Sequence, residues 1–482
     1  MPNDRGQVSP STTDRIPPAV RGALFVSTPW TALLLPPPWS VVLVVLISVV
    51  VGAFLVRDPQ ADRGVLLTVA AFTACDVSPL SVSGSVVRLY QLSGLLVLVV
   101  VFRRRAEIGR GLRELGRLPA AVVGVVVGLT VLTPLSLLWT ISPRDTLVST
   151  VGQLSATGLL VLFAAAVSSG LLRARDVLGA VWAMASLNSL VACAQFVLTM
   201  LTPWQLAGAG GSGVPWPRPE GLMTEAVWAA LVAATGLALA FVVRHEHRRL
   251  SAGSMVLHIT TIGLVSSRAV LLGIVGGALV CMFVVWRRRV SPLRLATVAA
   301  ASLVAVLVLA VAAPSFLARF DPRLVLGLRS GSDGGSAASR AAVYELVADE
   351  LPPRLPLGGG AGSLNKLTTD PEIREQYIGG GDLNAGRGST NFFLGYVFDF
   401  GYLGAALSVT LVILVGVLAV AVARVDQGLS AFLATLYLVD FQFNNGFRFG
   451  FVHVLLGVLI GVASMTRLEP SGRRSGAARH RR

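Results

Sequence analysis

The chain has 482 residues, of which 54% are hydrophobic and only 13% charged, and its mean hydropathy is +0.73. Soluble domains carry about 25% charged residues, so this composition excludes a soluble globular protein and predicts one that crosses a membrane many times. The formal net charge is +15, yet the arginines form short clusters beside apolar segments. That pattern is typical of membrane orientation and argues against a nucleic-acid-binding protein.

Taken in chain order, the apolar segments predict an all-α, polytopic bundle of transmembrane helices. A spanning helix needs roughly 20 apolar residues, and about 12–14 segments reach or approach that length. They cover approximately 22–36, 40–56, 64–79, 86–102, 119–138, 147–169, 176–201, 222–243, 252–267, 269–286, 295–316, 402–422, 429–443 and 447–464. The first is short and holds Pro29, so it either crosses the membrane or forms a hairpin with the second.

The arginine clusters predict which connections face the cytoplasm. Because basic residues are enriched in cytoplasmic loops, we expect the C-terminus and these clusters to be cytoplasmic, and they alternate correctly with the spans between them. The clusters lie at 103–117, 173–175, 244–249, 287–294 and 467–482. The resulting parts are a polar tail (1–21), an N-terminal transmembrane bundle (22–316), a large extracytoplasmic loop (317–395), C-terminal transmembrane helices (396–466) and a basic cytoplasmic tail (467–482).

The large loop is the longest polar interruption in the chain, and we expect it to form short helices that cap a cavity. Residues 338–350 have helix-forming composition, with Val343, Leu346 and Val347 on one side. The glycine-rich run that follows, Gly358–Gly362, lacks the Lys-Ser/Thr of a P-loop. A structural turn is therefore favoured there over a phosphate-binding loop.

Four arginines are predicted at or near the outer surface: Arg218, Arg268, Arg340 and Arg448. Each is explained either by snorkelling and helix capping or by convergence on a diphosphate, which guanidinium groups bind with paired, charge-assisted hydrogen bonds. Arg268 is the clearest candidate because it lies between two apolar stretches, where an arginine is costly unless it is paired or faces a cavity.

Two carboxylates on the same side are candidate general bases. Glu225 and Asp399 lie within apolar surroundings, which can raise a carboxyl pKa, whereas most other outer carboxylates are expected to be solvated. The outer segment contains no histidine, and no Asp-x-Asp pair or His/carboxylate cluster suggests a metal site. The sequence therefore predicts neither a cofactor nor a bound metal.

Five motifs occur in a fixed order along the chain: Trp139-Thr-Ile-Ser-Pro143, Arg218-Pro-Glu-Gly221, Ser266-Ser267-Arg268, Ser339-Arg340-Ala-Ala-Val-Tyr344 and Pro356-Leu-Gly-Gly-Gly-Ala-Gly362. Together with the exit of the large loop, they resemble the motifs of the O-antigen ligase/polymerase superfamily of bacterial membrane glycosyltransferases. The resemblance extends over most of the chain.

The loop exit carries the most specific part of this resemblance. Ligases of the family have His followed by Asn, Ser or Gln, then nine residues, Gly, two residues, and Gly, Thr or Tyr. Asn391, Gly401 and Gly404 keep that spacing, but Thr390 stands where the histidine is expected. This departure favours a polymerase, or a transferase with a different acceptor, over an O-antigen ligase proper.

The resemblance implies a metal-independent glycosyltransferase in the cell membrane. Its donor would be a polyprenyl-diphosphate-linked glycan, its acceptor a glycan or a lipid-linked molecule, and its stereochemical outcome inversion. On this basis Arg268, Arg340 and Asp399 are predicted to be catalytic. The predicted substrate-binding residues are Arg218, Glu225, Thr390, Asn391 and Arg448.

Two further functions are compatible with a polytopic bundle. A transporter or flippase of lipid-linked sugars would bind its cargo near the membrane midplane, often between inverted repeats, but we find no convincing repeat. A structural membrane protein would not depend on the outer arginines. Loss of those arginines should abolish transfer by an enzyme and only weaken binding by a transporter.

Overall fold

The computed structural model describes residues 61–76, 80–82, 85–202, 217–223, 225–245, 247–286, 336–378, 391–423, 425–442, 447 and 449–468. Its elements are α1 (Ala61–Thr73), β1 (Leu80–Val82), β2 (Ser85–Val87), α2 (Leu89–Leu92), α3 (Gly94–Arg103), α4 (Arg105–Arg113), α5 (Arg117–Leu135), α6 (Pro143–Ser168), α7 (Ala174–Leu201), α8 (Ala226–Val243), α9 (Arg248–Val265), α10 (Arg268–Cys281), α11 (Ser336–Glu350), α12 (Ser363–Thr369), α13 (Pro371–Ile378), α14 (Phe392–Val422), α15 (Leu429–Asp440) and α16 (Gly450–Leu468). Short 3₁₀ turns at Ser136–Leu138 and Pro352–Arg354 and a π turn at Met282–Trp286 complete the described part.

The predicted all-α membrane bundle is confirmed. Five described helices are long and apolar enough to cross a membrane: α5 (extended to Leu138), α6, α7, α8 and α14. Three shorter apolar helices accompany them: α10 (extended to Val284), α15 and α16 (to Thr466). The predicted segments at 22–36, 40–56 and 295–316 lie outside the described residues. The predicted total of 12–14 spans therefore stays a prediction.

One predicted span has a different structure. Residues 86–102 do not form a single helix, because β2 pairs antiparallel with β1 in the register Leu80↔Val87, and α2 and α3 follow. The two valines of β2 extend the apolar run of α3, so composition alone cannot separate a strand from a buried helix there. The hairpin also carries Arg88, whose guanidinium bonds the carboxylate of Asp76.

The long helix α6 separates two ends of the bundle, about 39 Å apart at 1.5 Å per residue. Near its start, Thr146 Oγ1 donates a hydrogen bond to the carbonyl of Ala361 at 2.8 Å. At its last residue, Ser168 Oγ donates to the carbonyl of Gly111 in α4 at 3.1 Å. We call these the loop end, which carries Gly358–Gly362, and the basic end, which carries α4.

Three of the five arginine clusters lie at one end of this arrangement. The cluster at 287–294 and nearly all of 467–482 lie outside the described residues, so the cytoplasmic orientation stays a prediction. Residues 103–117 contain α4, residues 173–175 join α6 to α7, and residues 244–249 join α8 to α9. Consecutive helices joined by short connections run in opposite directions, and α8 begins near the end of α7 because Gln195 accepts a hydrogen bond from Gly221. These three clusters therefore share the basic end. The starts of α8 and α10 therefore lie with the loop end.

Helix α14 is broken near its start. Gly401 has φ 59° and ψ −140°, a conformation outside the helical region that favours glycine. A Cβ there would lie 1.9 Å from the carbonyl oxygen of Pro356, so no other residue fits. The predicted span 402–422 begins immediately after this kink, and residues 392–400 form a separate segment before it.

The helices of the large loop have a small core of their own. Val343, Leu346 and Val347 of α11 are 1–3% exposed, which confirms the predicted apolar side of that helix. They pack with α12 and with Phe398 of α14. The loop is therefore attached to the membrane helices through the segment of α14 that precedes the kink.

Candidate functional site

The motif that contains Arg218 is fixed on α7 by two amide side chains. Gln195 Oε1 accepts hydrogen bonds from the backbone N–H groups of Glu220 at 3.2 Å and Gly221 at 2.7 Å. Asn188 Oδ1 accepts from the N–H of Leu222 at 2.6 Å. These bonds satisfy three consecutive backbone donors, so the non-helical segment before α8 has a defined conformation.

Arg218 meets the turn that carries Arg268. Its Nε donates to the carbonyl of Val265 at 2.9 Å, and Val265 is the last residue of α9. Ser266 follows in the left-handed region, with φ 51°, and Arg268 begins α10. Both arginine side chains are half-buried. Two motifs predicted separately from sequence are therefore adjacent at the loop end.

A buried ion pair extends this site toward the hairpin. The backbone N–H of Asp76 donates to the carbonyl of Leu222 at 2.9 Å, and its carboxylate, 2% exposed, bonds Arg88. The Arg88 guanidinium also lies 5.2 Å from the centre of the Phe449 ring, within the range of a cation–π interaction. The hairpin and the start of α16 thus both contact the Arg218 segment.

Glu225 precedes the first residue of α8 and lies close to several charged groups. Desolvation by the surrounding residues raises its pKa, and the negative charges of Asp76 and Glu220 raise it further, while Arg218 partly opposes them. Solvent still reaches the residue, so this desolvation is partial. Desolvation likewise raises the pKa of Glu220, against the opposing effect of Arg218.

The Gly-rich loop docks onto α14 through its backbone. The N–H groups of Gly359 and Gly360 donate to the carbonyls of Phe398 and Asp399 at 2.8 and 2.9 Å. The N–H of Gly362 donates to the Asp399 carboxylate at 3.0 Å. Since protein acceptors bind these donors, the loop does not present them to a phosphate. This geometry supports the prediction that the Gly-rich loop is a structural turn.

The opposite side of the loop packs on the corner between α5 and α6. Ser136 Oγ accepts from the N–H of Ala361 at 3.0 Å, and the N–H of Ile141 donates to the carbonyl of Gly359 at 3.0 Å. Gly360 has φ 90°, and a Cβ there would lie 2.4 Å from the Cβ of Thr140. The Trp-Thr-Ile-Ser-Pro motif thus forms part of the surface against which the Gly-rich loop packs.

Asp399 is 3% exposed and holds this loop in place. Its Oδ2 accepts from Gly362 and its main-chain carbonyl from Gly360. The apolar surroundings predicted for it are confirmed, since Phe398 and Phe400 beside it are buried. Its catalytic assignment stays a prediction.

Asn391 caps the first turn of α14. Its Oδ1 accepts from the N–H of Leu394 at 3.1 Å, and its Nδ2 donates to the carbonyl of Gln442 at 3.2 Å. The next residue, Phe392, donates its N–H to the carbonyl of Phe441 at 2.9 Å. Asn391 therefore fixes the loop exit to the end of α15, and its predicted contact with substrate remains a prediction.

A row of aromatic rings connects the loop exit to the arginine site. The rings follow one another at centroid distances of 5.9 to 6.1 Å, in the order Phe392, Phe441, Tyr437, Phe451 and Phe449. Three of these rings, Phe392, Tyr437 and Phe441, also line an apolar cavity of about 320 Å³ between α14, α15 and α16. The row ends at the ring that faces Arg88.

The other predicted residues are placed only in part. Arg340 lies in α11, but its side chain is outside the described structure, as are Thr390 and Arg448. Within the described residues, no group of three or more His, Cys, Asp or Glu side chains could hold a metal ion. The structure thus brings together Arg218, Glu225 and Arg268.

Sequence reasoning missed Asp76, Arg88 and Gln195. Asp76 ends an apolar stretch after α1, and a charge at that position was the available signal. Gln195 lies within the long apolar helix α7, where a polar amide is costly unless it is hydrogen-bonded. Asp76 bonds Leu222 and Gln195 bonds Gly221, and Arg88 reaches Asp76 through the hairpin. None of these three contacts could be read from local pattern.

Comparison with known proteins supports the assignment suggested by the motifs. The family model described as O-Antigen ligase matches residues 253–409, a range that includes Arg268, the Gly-rich loop and Asn391. No curated protein matches the chain. Residues 253–409 are therefore similar to the O-Antigen ligase family, in agreement with the superfamily that the motifs resemble.

Proposed function

We propose that the protein is a glycosyltransferase that polymerises or transfers a polyprenyl-diphosphate-linked oligosaccharide at the outer face of the cytoplasmic membrane. The observation that carries this proposal is the hydrogen bond from Arg218 to Val265, which joins the Arg218 motif to the turn of Arg268. That turn lies within the range that matches the O-Antigen ligase family model. The carboxylate of Glu225 interacts electrostatically with the Arg218 guanidinium.

In this reaction the acceptor hydroxyl attacks the anomeric carbon of the donor. A new carbon–oxygen bond forms on one face while the bond to the diphosphate breaks on the other, which inverts the anomeric configuration. Arg218 and Arg268 bind the diphosphate oxygens and stabilise the negative charge that develops on the leaving group. Arg340 and Arg448 are assigned the same type of contact through their motifs and positions.

Glu225 is the better-placed general base. Its carboxylate is open to solvent and its raised pKa suits a group that accepts the hydroxyl proton. Asp399, in contrast, is buried and engaged with the Gly-rich loop. We therefore assign Glu225 to proton transfer and Asp399 to positioning the loop.

The apolar cavity offers a place for the lipid part of the donor. It is lined almost entirely by apolar side chains and includes Phe392, the residue directly after Asn391. A polyprenyl chain entering from the bilayer would pass from one apolar environment to another, so it could occupy this cavity without exposing apolar surface to water. Its diphosphate would then lie toward the loop end.

The replacement of the ligase histidine by Thr390 favours a polymerase. A polymerase adds one lipid-linked glycan to another, so both substrates share a polyprenyl anchor and reach the site from the same membrane. A transferase with another acceptor uses the same donor chemistry. The number of products distinguishes the two.

The test uses purified protein in detergent, a polyprenyl-diphosphate oligosaccharide and EDTA, with products separated by size. A ladder that is lost in Arg268→Ala supports a metal-independent polymerase. A single shifted product that requires an added acceptor supports a ligase. If no product forms and labelled lipid crosses proteoliposome membranes instead, the protein is a flippase and the enzyme proposal fails.

A further inference from the structure

We propose that α4, at the basic end, is a binding site for the anionic headgroups of the adjacent membrane leaflet. The helix is short, basic and amphipathic, and it lies at the opposite end of α6 from the candidate site. The proposal does not depend on the proposed function.

The first observation is that one side of α4 is fixed against α6. Gly111 packs so closely that a Cβ would lie 2.1 Å from the carbonyl oxygen of Ala165. Ser168 Oγ donates to the carbonyl of Gly111, and Ile108 is buried on the same side. Since α6 ends at Ser168, this contact places α4 where a membrane-spanning helix ends.

The second observation is that a buried carboxylate forms ion pairs with some arginines of the cluster at 103–117 and not with others. Asp62 is 0% exposed and pairs with Arg103 at 3.1 Å and with Arg104 at 2.7 Å. Arg104 also pairs with Glu107 at 2.9 Å. Two arginines and two acids thus neutralise each other and connect α1 to the start of α4.

The remaining arginines of α4 keep their charge available. Arg105, Arg110 and Arg113 are exposed, and among the described residues none of the three forms an ion pair. Three guanidinium groups on one nine-residue helix match a surface of phosphate groups, to which they can donate paired hydrogen bonds.

The third observation decides between a lipid surface and an acidic soluble protein. Phe102 is 70% exposed and Leu98 63% exposed, and the Arg105 guanidinium lies 5.1 Å from the centre of the Phe102 ring. Exposed aromatic and aliphatic side chains beside arginines are typical of the membrane interface. A leaflet takes up both the apolar and the cationic groups, so the lipid surface is the occupant that these side chains favour.

The experiment measures lipid retention by the full-length protein. Detergent-purified protein is titrated with phosphatidylglycerol or phosphatidylcholine, and the bound lipids are counted by native mass spectrometry. We expect preferential retention of phosphatidylglycerol, weakened about tenfold or more in the triple variant R105Q/R110Q/R113Q. The variant R105K/R110K/R113K should retain most of it, because the charge is kept.

A matched triple variant, R173Q/R248Q/R249Q, removes the same charge from exposed arginines elsewhere at the basic end. It should retain phosphatidylglycerol as wild type does. Equal loss in both glutamine variants would show a general charge effect and overturn the assignment to α4. Unchanged retention in R105Q/R110Q/R113Q, equal retention of the two lipids, or added acidic protein displacing the lipid would overturn it as well.

Discussion

The Asp399 carboxylate accepts a hydrogen bond from the backbone N–H of Gly362 at 3.0 Å, so a residue of α14 fixes the end of the Gly-rich loop. The two residues belong to motifs that are separate in sequence. Their contact makes the loop and the broken start of α14 one structural unit.

Replacing Asp399 separates its structural role from a catalytic one. Asp399→Ala leaves a buried N–H without its acceptor and should lower the free energy of unfolding by about 1–3 kcal/mol. Asp399→Asn keeps an oxygen that can accept from Gly362 and should retain most stability and most transfer. Thermal unfolding and the transfer assay measure the two effects. An Asn variant that folds normally and transfers nothing would identify Asp399 as the base.

The Gly-rich loop should not tolerate a side chain at its tightest contact. Gly360→Ala places a methyl group against Thr140 and requires an alanine at φ 90°, so it should lower the midpoint of thermal unfolding and the transfer rate together. Gly152→Ala is the control, since nothing lies within 4 Å of its Cβ and alanine favours the helix by roughly 0.5–1 kcal/mol. Equal behaviour of the two variants would contradict this account of the loop.

The proposed role of Arg218 and Arg268 depends on the charge and on the planar shape of their guanidinium groups. Arg268→Ala should lower kcat for transfer by about 100-fold or more, as expected for loss of a group that stabilises developing charge. Arg218→Lys keeps the charge but loses the planar fork, and it should also be strongly impaired. Arg248→Ala, at the basic end, is the control. Transfer at the wild-type rate by Arg268→Ala would remove Arg268 from the mechanism.

The charged neighbours of Glu225 predict a pH effect of known sign. A general base acts when it is deprotonated, so its raised pKa moves the acidic limb of the rate profile to higher pH than an ordinary glutamate would give. Asp76→Asn removes a negative charge that favours the protonated form, and the limb should shift to lower pH. Arg218 and Glu220 remain and continue to act on Glu225.

Two controls complete this measurement. Glu225→Gln should abolish the acidic limb together with most of the transfer. Glu372→Gln removes an exposed acid of the large loop and should leave the profile unchanged. A limb that stays in place in Asp76→Asn would show that Asp76 has no influence on the titrating group.

Much of the bundle could be predicted because long apolar runs specify helices directly. The predicted spans 119–138 and 176–201 correspond closely to α5 and α7. The hairpin at 80–87 could not be predicted, since valines are equally compatible with a strand and with a buried helix. Likewise the kink in α14 depends on Pro356, a residue 45 positions earlier in the chain, and local pattern does not show it.

For the site, sequence identified charged residues but not their partners. Arg218 and Arg268 were recognised because an arginine beside a membrane span requires an explanation. The pair formed by Asp76 and Arg88 depends on folding of the hairpin, and the contact between Asp76 and Leu222 joins distant segments. The sequence predicts the apolar surroundings of Asp399 but not the loop N–H that it binds.

The contact between Ser136 and Ala361 spans 225 residues, and this separation has a consequence for biosynthesis. Ribosomes add about 5–20 residues per second, so the corner between α5 and α6 is made many seconds before its partner loop exists. The loop in turn needs Asp399, which is made later still. During this interval the polar groups at the corner between α5 and α6 lack their partners in the loop. A chain truncated before α14 lacks Asp399 and cannot assemble the loop end.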